Sequence, residues 1–375
     1  LRQLDQRKIK QIEIGEHSEQ LISGQDLVVV SPGVPLDAAP IKWARKKSIP
    51  VIGEVELAFR FCPASTVAIT GTNGKTTVTT LVGEIFKQAK RKYVVCGNIG
   101  NPFSAELKQI SSEHTVILEI SSFQLETIDK FRPKVAVILN LSDDHLDRYL
   151  SFNEYAEAKC RIFLNQTKQD WAILNDEDPN CLALAARTQA KVAYFSKVQD
   201  LPAHKFNANH FAALTVSSLF DIQQDLALSV LHNFKGLEHR LETLREIRGV
   251  EFINDSKATN VDSTLWALEA IRKPIVLIAG GRDKGSNFSA FRQKIGERVQ
   301  AMVVLGEAKE KLKAAFSDLV TIKEAKSMLE AVEIAARLAH CGSCVLLSPM
   351  CASFDMFTDY QHRGRVFKQA VAELD

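Results

Sequence analysis

The sequence predicts an α/β protein of several domains built on mostly parallel sheets. Three features predict it: short β-branched runs whose apolar residues are continuous rather than alternating, helix-length stretches between them, and polar segments placed directly after the strands. A strand buried on one face alternates apolar and polar residues, whereas a parallel strand covered on both faces is apolar throughout. With 375 residues the chain exceeds what one hydrophobic core holds, so two or three domains are expected.

In order, strand-like runs fall at 27–30, 66–70, 92–96, 115–120, 135–140, 171–175 and 191–195, then at 250–254, 275–279, 302–305 and 344–348. Segments 78–87 and 325–340 read as two of the intervening helices. Ligands of such sheets sit beyond the carboxyl ends of the strands. Polar residues gather there five times: at 71–77, at Glu119, at 143–145, at 254–260 and at 280–284. Domain boundaries read at 50–53 and at the Lys235-Gly236 turn, giving domains 1–53, 54–236 and 237–375. The first lacks a starting Met and an obvious first strand, and it reads as a domain cut short.

Forty-seven basic residues against 45 acidic ones, without a long single-sign block, leave no electrostatic footprint for nucleic acid. No apolar run approaches the ~18 residues of a membrane span, and the first ten residues lack a signal core. Seven scattered cysteines show no disulfide framework, which suits a reducing, cytoplasmic setting. Cys341 and Cys344 form a Cys-x-x-Cys, but Val345 to Leu347 continue as an apolar strand and no second pair lies nearby, so a structural role is expected.

The segment Gly71-Thr72-Asn73-Gly74-Lys75-Thr76-Thr77 follows a strand and opens a helix. Backbone N–H groups in a glycine turn at a helix start cradle phosphate, a lysine there reaches the terminal phosphates, and the Thr76 hydroxyl can hold Mg²⁺. ATP or GTP is the natural ligand. A general phosphate loop carries glycine five residues before Gly74, and Ile69 stands there instead. Glu119 closes its strand where a carboxylate can meet the loop's metal. Of the Ser142-Asp143-Asp144-His145-Leu146-Asp147 segment, helix capping would explain Ser142 or Asp143 but not His145, a candidate second metal ligand. Periodicity makes Lys159 a surface lysine. His239 and Arg240 lie at a domain junction, from which an arginine can reach a transferring phosphate. Lys284, in a second glycine turn, suits a carboxylate or a phosphate.

As a set these segments resemble the Mur ligases, in the branch that adds D-glutamate. The family's ATP loop also lacks the earlier glycine. Segments 97–100, 118–126 and 144–149 resemble successive family segments in the right order. Ser31-Pro32-Gly33 resembles a first-domain turn, and the residues from Asn254 to Asn260, from Ser348 to Asp355, and Arg363-Gly364 resemble the signatures of the D-glutamate enzymes. The resemblance implies a three-domain fold with a central phosphate-loop domain and a Rossmann-like C-terminal domain. It implies ATP-dependent addition of D-glutamate to UDP-N-acetylmuramoyl-L-alanine through an acyl phosphate, by a cytoplasmic monomer, in cell-wall synthesis.

By the same resemblance, residues 71–77, Asn209, Arg240, Asp255 and Lys257 face ATP, with Lys75 on the γ-phosphate. Two Mg²⁺ ions are implied, one on Thr76 and Glu119, the other on His145 and a carbamylated Lys159. Ser31 and Asn98 touch the UDP-sugar; Thr259, Lys284, Ser353 and Tyr360 receive D-glutamate; His239 orients the junction. Three features depart from the family. The Gly-rich first strand-turn is absent, the adenine-facing Asn-x-x-Asn has Phe206 at its first place with Asn207 displaced by one, and Glu238 stands where proline is usual. The alternatives are a sister Mur ligase or a folylpolyglutamate-synthase-like ligase for another amino acid, a phosphate-loop ATPase acting as a switch or motor, and a truncated nucleotide-binding remnant without ligase activity.

Overall fold

The computed structural model describes residues 11–144, 148–195 and 206–374. The chain resolves into two compact units, Leu1–Leu141 with Ala156–Asn233, and Ser142–Tyr155 with Phe234–Asp375. The first unit begins with a small parallel pair, β1 (Val28–Val30) beside β2 (Val51–Gly53). The boundary read at 50–53 is therefore largely a strand, too short to register as an apolar run.

Glu54–Phe61 is a helix whose Glu56 is fully buried. The Glu56 carboxylate accepts the backbone N–H groups of Asp129, Lys130 and Phe131 and the Arg60 side chain. Burial pushes its pKa up, but these donors outweigh that and hold it below the ordinary carboxylate value.

Six parallel strands form the main sheet of this unit: β3 (Ser65–Thr70), β4 (Tyr93–Gly97), β5 (Thr115–Glu119), β6 (Val135–Ile138), β7 (Trp171–Leu174) and β8 (Lys191–Tyr194), in the order β4-β5-β3-β6-β7-β8. β5 and β6 are buried at every position, the signature of a sheet covered on both faces. After β3 the chain passes to one side for β4 and β5, then returns to the other side for β6. The strand order thus reverses around β3, the switch point beyond whose carboxyl end such sheets bind ligands. The helix Lys75–Gln88 starts there.

The second unit holds β9 (Glu242–Ile247), β10 (Val250–Asn254), β11 (Ile275–Gly280), β12 (Val299–Leu305), β13 (Thr321–Glu324) and β14 (Cys344–Leu347), ordered β13-β12-β11-β14-β10-β9. All pairs are parallel except β9 with β10. That hairpin turns on Arg248 and Gly249, both at positive φ, as a tight two-residue turn requires. Successive β11 residues feed opposite cores: Ile275, Leu277 and Ala279 pack on one face, Val276 and Ile278 on the other. Cys344 and Leu346 against Val345 and Leu347 do the same on β14. Both faces are apolar because helices cover both, and the period of two vanishes from the sequence. No helix among the described residues is long and apolar enough to cross a membrane.

Candidate active site

In the first unit the predicted groups converge on the end of β3. Gly71 (φ 149°) and Gly74 (φ 85°) occupy backbone conformations that side chains disfavour. A Cβ on Gly71 would press on Leu139, and one on Gly74 would strike the Asn209 side-chain oxygen. The loop is fastened to Asn140 just past β6. Thr72 N donates to Asn140 O (2.9 Å), Asn73 N donates to Asn140 Oδ1 (2.7 Å), and Asn140 Nδ2 donates back to Asn73 O (3.0 Å). Lys75 curls over the turn, its Nζ 2.9 Å from both Gly71 O and Thr72 O. Thr76 is buried and Thr77 half-buried in the first helical turn.

Glu119 pairs with Ile69 in register, which brings its side chain beside the loop. It is buried, Oε1 accepts from Asn98 Nδ2 at 2.8 Å, and among the described residues Oε2 accepts no hydrogen bond. A buried carboxylate oxygen without a donor is a position that suits a cation. Lys159 corrects the surface assignment: only 1% of it is exposed, and its Nζ lies 3.0 Å from Gly71 O and 3.5 Å from Thr70 Oγ1. Asn207 is displaced because it caps the helix Ala208–Ser218, accepting from the N–H groups of Asn209 and His210. That cap places Asn209 against Gly74. Ser31 is exposed, directly after β1. His145 lies outside the described residues.

In the second unit the loops after β10, β11 and β14 are bound together. Arg282 and Ala352 exchange backbone hydrogen bonds, tying the loop after β11 to the loop after β14. Arg363 is buried and donates to Ser256 Oγ (3.0 Å), Ser256 O (2.8 Å) and Cys351 O (3.0 Å), and burial lowers its pKa to about 10. Asp255 is fully buried, and burial raises its pKa to about 6 although Arg240 and Ser348 pull the other way. Arg240 lies 3.6 Å from Asp255 and stacks over Trp266. His239 accepts at Nδ1 from Asn254 Nδ2 (2.8 Å), so its proton sits on Nε2, and burial keeps the ring below its ordinary pKa. Lys257 lies over the Tyr360 ring and reaches its hydroxyl at 3.1 Å. Thr259 is half-buried beside Lys257, Ser353 is buried after β14, and Lys284 pairs with Asp144 at 3.3 Å.

The Mur ligase middle domain matches residues 69–236, and the Mur ligase glutamate ligase domain matches residues 239–351. The chain belongs to the Mur ligase family.

Two relatives, both named UDP-N-acetylmuramoylalanine-D-glutamate ligase, show how close the match is. The protein from Geotalea daltonii is 43% identical and that from Koribacter versatilis 41%, each over 97% of this chain and 86% of its own length. Solved structures share the Mur ligase fold at low identity. The MurF ligase of Thermotoga maritima in complex with ADP aligns at a TM-score of 0.66 and 16% identity, covering 95% of this chain and 97% of its own. A pseudomurein peptide ligase type C from Methanothermus fervidus aligns at 0.65 and 16% identity, over 96% and 89%.

Three residues of this Mur ligase escaped the sequence reading. Asn140 passes as the last residue of a strand, and Asn260 and Arg363 as parts of signatures without roles of their own. Their partners lie 67, 116 and 107 residues away along the chain, beyond any local signal.

Proposed function

We infer that this Mur ligase uses ATP to join D-glutamate to UDP-N-acetylmuramoyl-L-alanine in peptidoglycan synthesis, as a cytoplasmic monomer. The observation that carries the reading is the identity of 41–43% over 97% of the chain to ligases named for that reaction. The amino-acid dependence of phosphate release tests it.

The chemistry follows from positioning and charge. A carboxylate oxygen of the alanyl group attacks the γ-phosphorus and ADP departs; the amine of D-glutamate then attacks the acyl carbon, and phosphate departs as the amide forms. The 71–77 loop and Lys75 bind the ATP phosphates, Asn209 meets the adenine side, and Arg240, Asp255 and Lys257 also face ATP. Thr76 and Glu119 would hold one Mg²⁺, consistent with the orphaned Glu119 oxygen, and His145 with a carbamylated Lys159 a second. Mg²⁺ supplies neutralisation of the phosphate charge. Burial of Lys159 beside the loop supports its place there. Ser31 and Asn98 contact the UDP-sugar, Thr259, Lys284, Ser353 and Tyr360 the D-glutamate, and His239 holds the junction through Asn254.

A pH dependence follows from Asp255, whose pKa is raised to about 6 by burial. The folded chain holds this proton more tightly than the unfolded chain, so the group's stabilising contribution is full below the ordinary Asp pKa and is lost as pH rises through about 6. Function runs the opposite way, because the ionised carboxylate orients Arg240. The pH profile of kcat/KM for ATP is expected to fall about tenfold per unit below that pKa. A profile flat down to the ordinary Asp range would remove Asp255 from this role.

A further inference from the structure

The carboxylate of Asp144 is gripped at both oxygens. Oδ1 lies 3.3 Å from Lys284 Nζ, and Oδ2 accepts from Asn260 Nδ2 at 3.1 Å. Lys284 stands in the loop after β11 and Asn260 in the loop after β10, so two separate strand ends present two N–H donors to one carboxylate. That is the arrangement in which a free carboxylate is bound. Asn260 has no freedom to turn away. Its Oδ1 accepts Ser263 N at 2.9 Å, capping the helix Val261–Ala270, which leaves Nδ2 aimed at Asp144.

The pair is sheltered, with the Lys284 side chain 16% exposed and that of Asp144 9%. A second carboxylate at Lys284 would bring two like charges together where water screens them poorly. Asp144 groups with this unit through Ser142–Tyr155, whereas its two partners lie 140 and 116 residues further along the chain.

We propose that Lys284 and Asn260 form the receptor for a carboxylate of the amino-acid substrate, and that Asp144 is its internal ligand, displaced when the substrate binds. This rests on the D-glutamate reading above and adds Asn260 and Asp144 to it. Asp144 is thus a built-in competitor, and the apparent affinity for the amino acid is reduced by the fraction of receptor it occupies. It also sets a chemical requirement: an amine entering without a carboxylate cannot dislodge it.

The test compares Asp144→Asn and Asn260→Ser in the full chain, reading KM for D-glutamate and ATP alongside direct calorimetric titration of D-glutamate. Removing the competitor is expected to lower the D-glutamate KM and dissociation constant by about three- to tenfold without moving the ATP KM. Asn260→Ser keeps a capping hydroxyl but loses the donor, and is expected to raise the D-glutamate constants by a similar factor. An unchanged or raised D-glutamate constant in Asp144→Asn would overturn the proposal, making Asp144 a positioning residue for Lys284. Failure of the unsubstituted chain to use D-glutamate at all would instead remove the function on which the proposal rests.

Discussion

Replacing Lys75 with alanine is expected to lower kcat for ADP formation by roughly a thousandfold, with the folded chain intact. The lysine opens a helix at a loop whose backbone is already fixed by two glycines at positive φ and by Asn140. Its ammonium rests on the Gly71 and Thr72 carbonyls, so the charge needs only a short swing to reach a phosphate. Deleting it leaves the cradle of N–H groups but removes the cation proposed to meet charge developing on the γ-phosphoryl group. Those contacts belong to the backbone, so thermal stability should change little. Steady-state kinetics with circular dichroism decides the matter, and activity within tenfold of the original would remove Lys75 from phosphoryl transfer.

The second large effect is on stability. Arg363→Ala is expected to cost about 3–5 kcal/mol, because it opens a cavity and strands buried acceptors at Ser256 and Cys351. The guanidinium binds the loop after β10 to the loop after β14, and Ser256 in turn donates to Tyr360 O at the start of the helix that carries Arg363. Lysine cannot substitute, since one ammonium cannot meet acceptors spread around a planar fork. Arg363→Lys should recover less than half of the loss. Urea unfolding followed by far-ultraviolet circular dichroism measures both, and a cost under about 1 kcal/mol would contradict this role of Arg363.

What was legible in the sequence follows from how each strand is buried. β5, β6, β11 and β14 are apolar at nearly every position because helices cover both faces, so they stand out as runs. β9, with sequence Glu-Thr-Leu-Arg-Glu-Ile, and β13, with Thr-Ile-Lys-Glu, are edge strands with exposed polar residues, and neither was read as a strand. β2 is three residues long and passes for a boundary. The phosphate loop was legible because its chemistry is local: glycines, lysine and threonine lie within seven positions. Lys159 shows the opposite case. On the helix Phe152–Cys160 its spacing is that of a solvated residue, and its burial is decided by β3 and its loop, 88 residues earlier. Asn140 and Asn260 give no local sign of their contacts for the same reason, since each meets a partner more than sixty residues away.

The cap at Asn207 explains one family departure physically. The helix Ala208–Ser218 needs an acceptor for its first N–H groups, and Asn207 provides it, its own backbone N–H donating in return to His210 Nδ1. Asn209 is thereby set on the first turn, next to Gly74. Glu238, where the family usually has proline, is also employed. It and Glu242 share Lys368, at 3.0 and 2.6 Å, across the turn that carries His239.

The central claim is the identity of the amino acid. The most direct measurement is phosphate release by the purified full-length protein supplied with ATP, Mg²⁺ and UDP-N-acetylmuramoyl-L-alanine, with each candidate amino acid added in turn. Release that begins only when D-glutamate is present, with one amide product per phosphate, is the predicted result. Equal release with L-lysine or meso-diaminopimelate, or release with no amino acid at all, would contradict it.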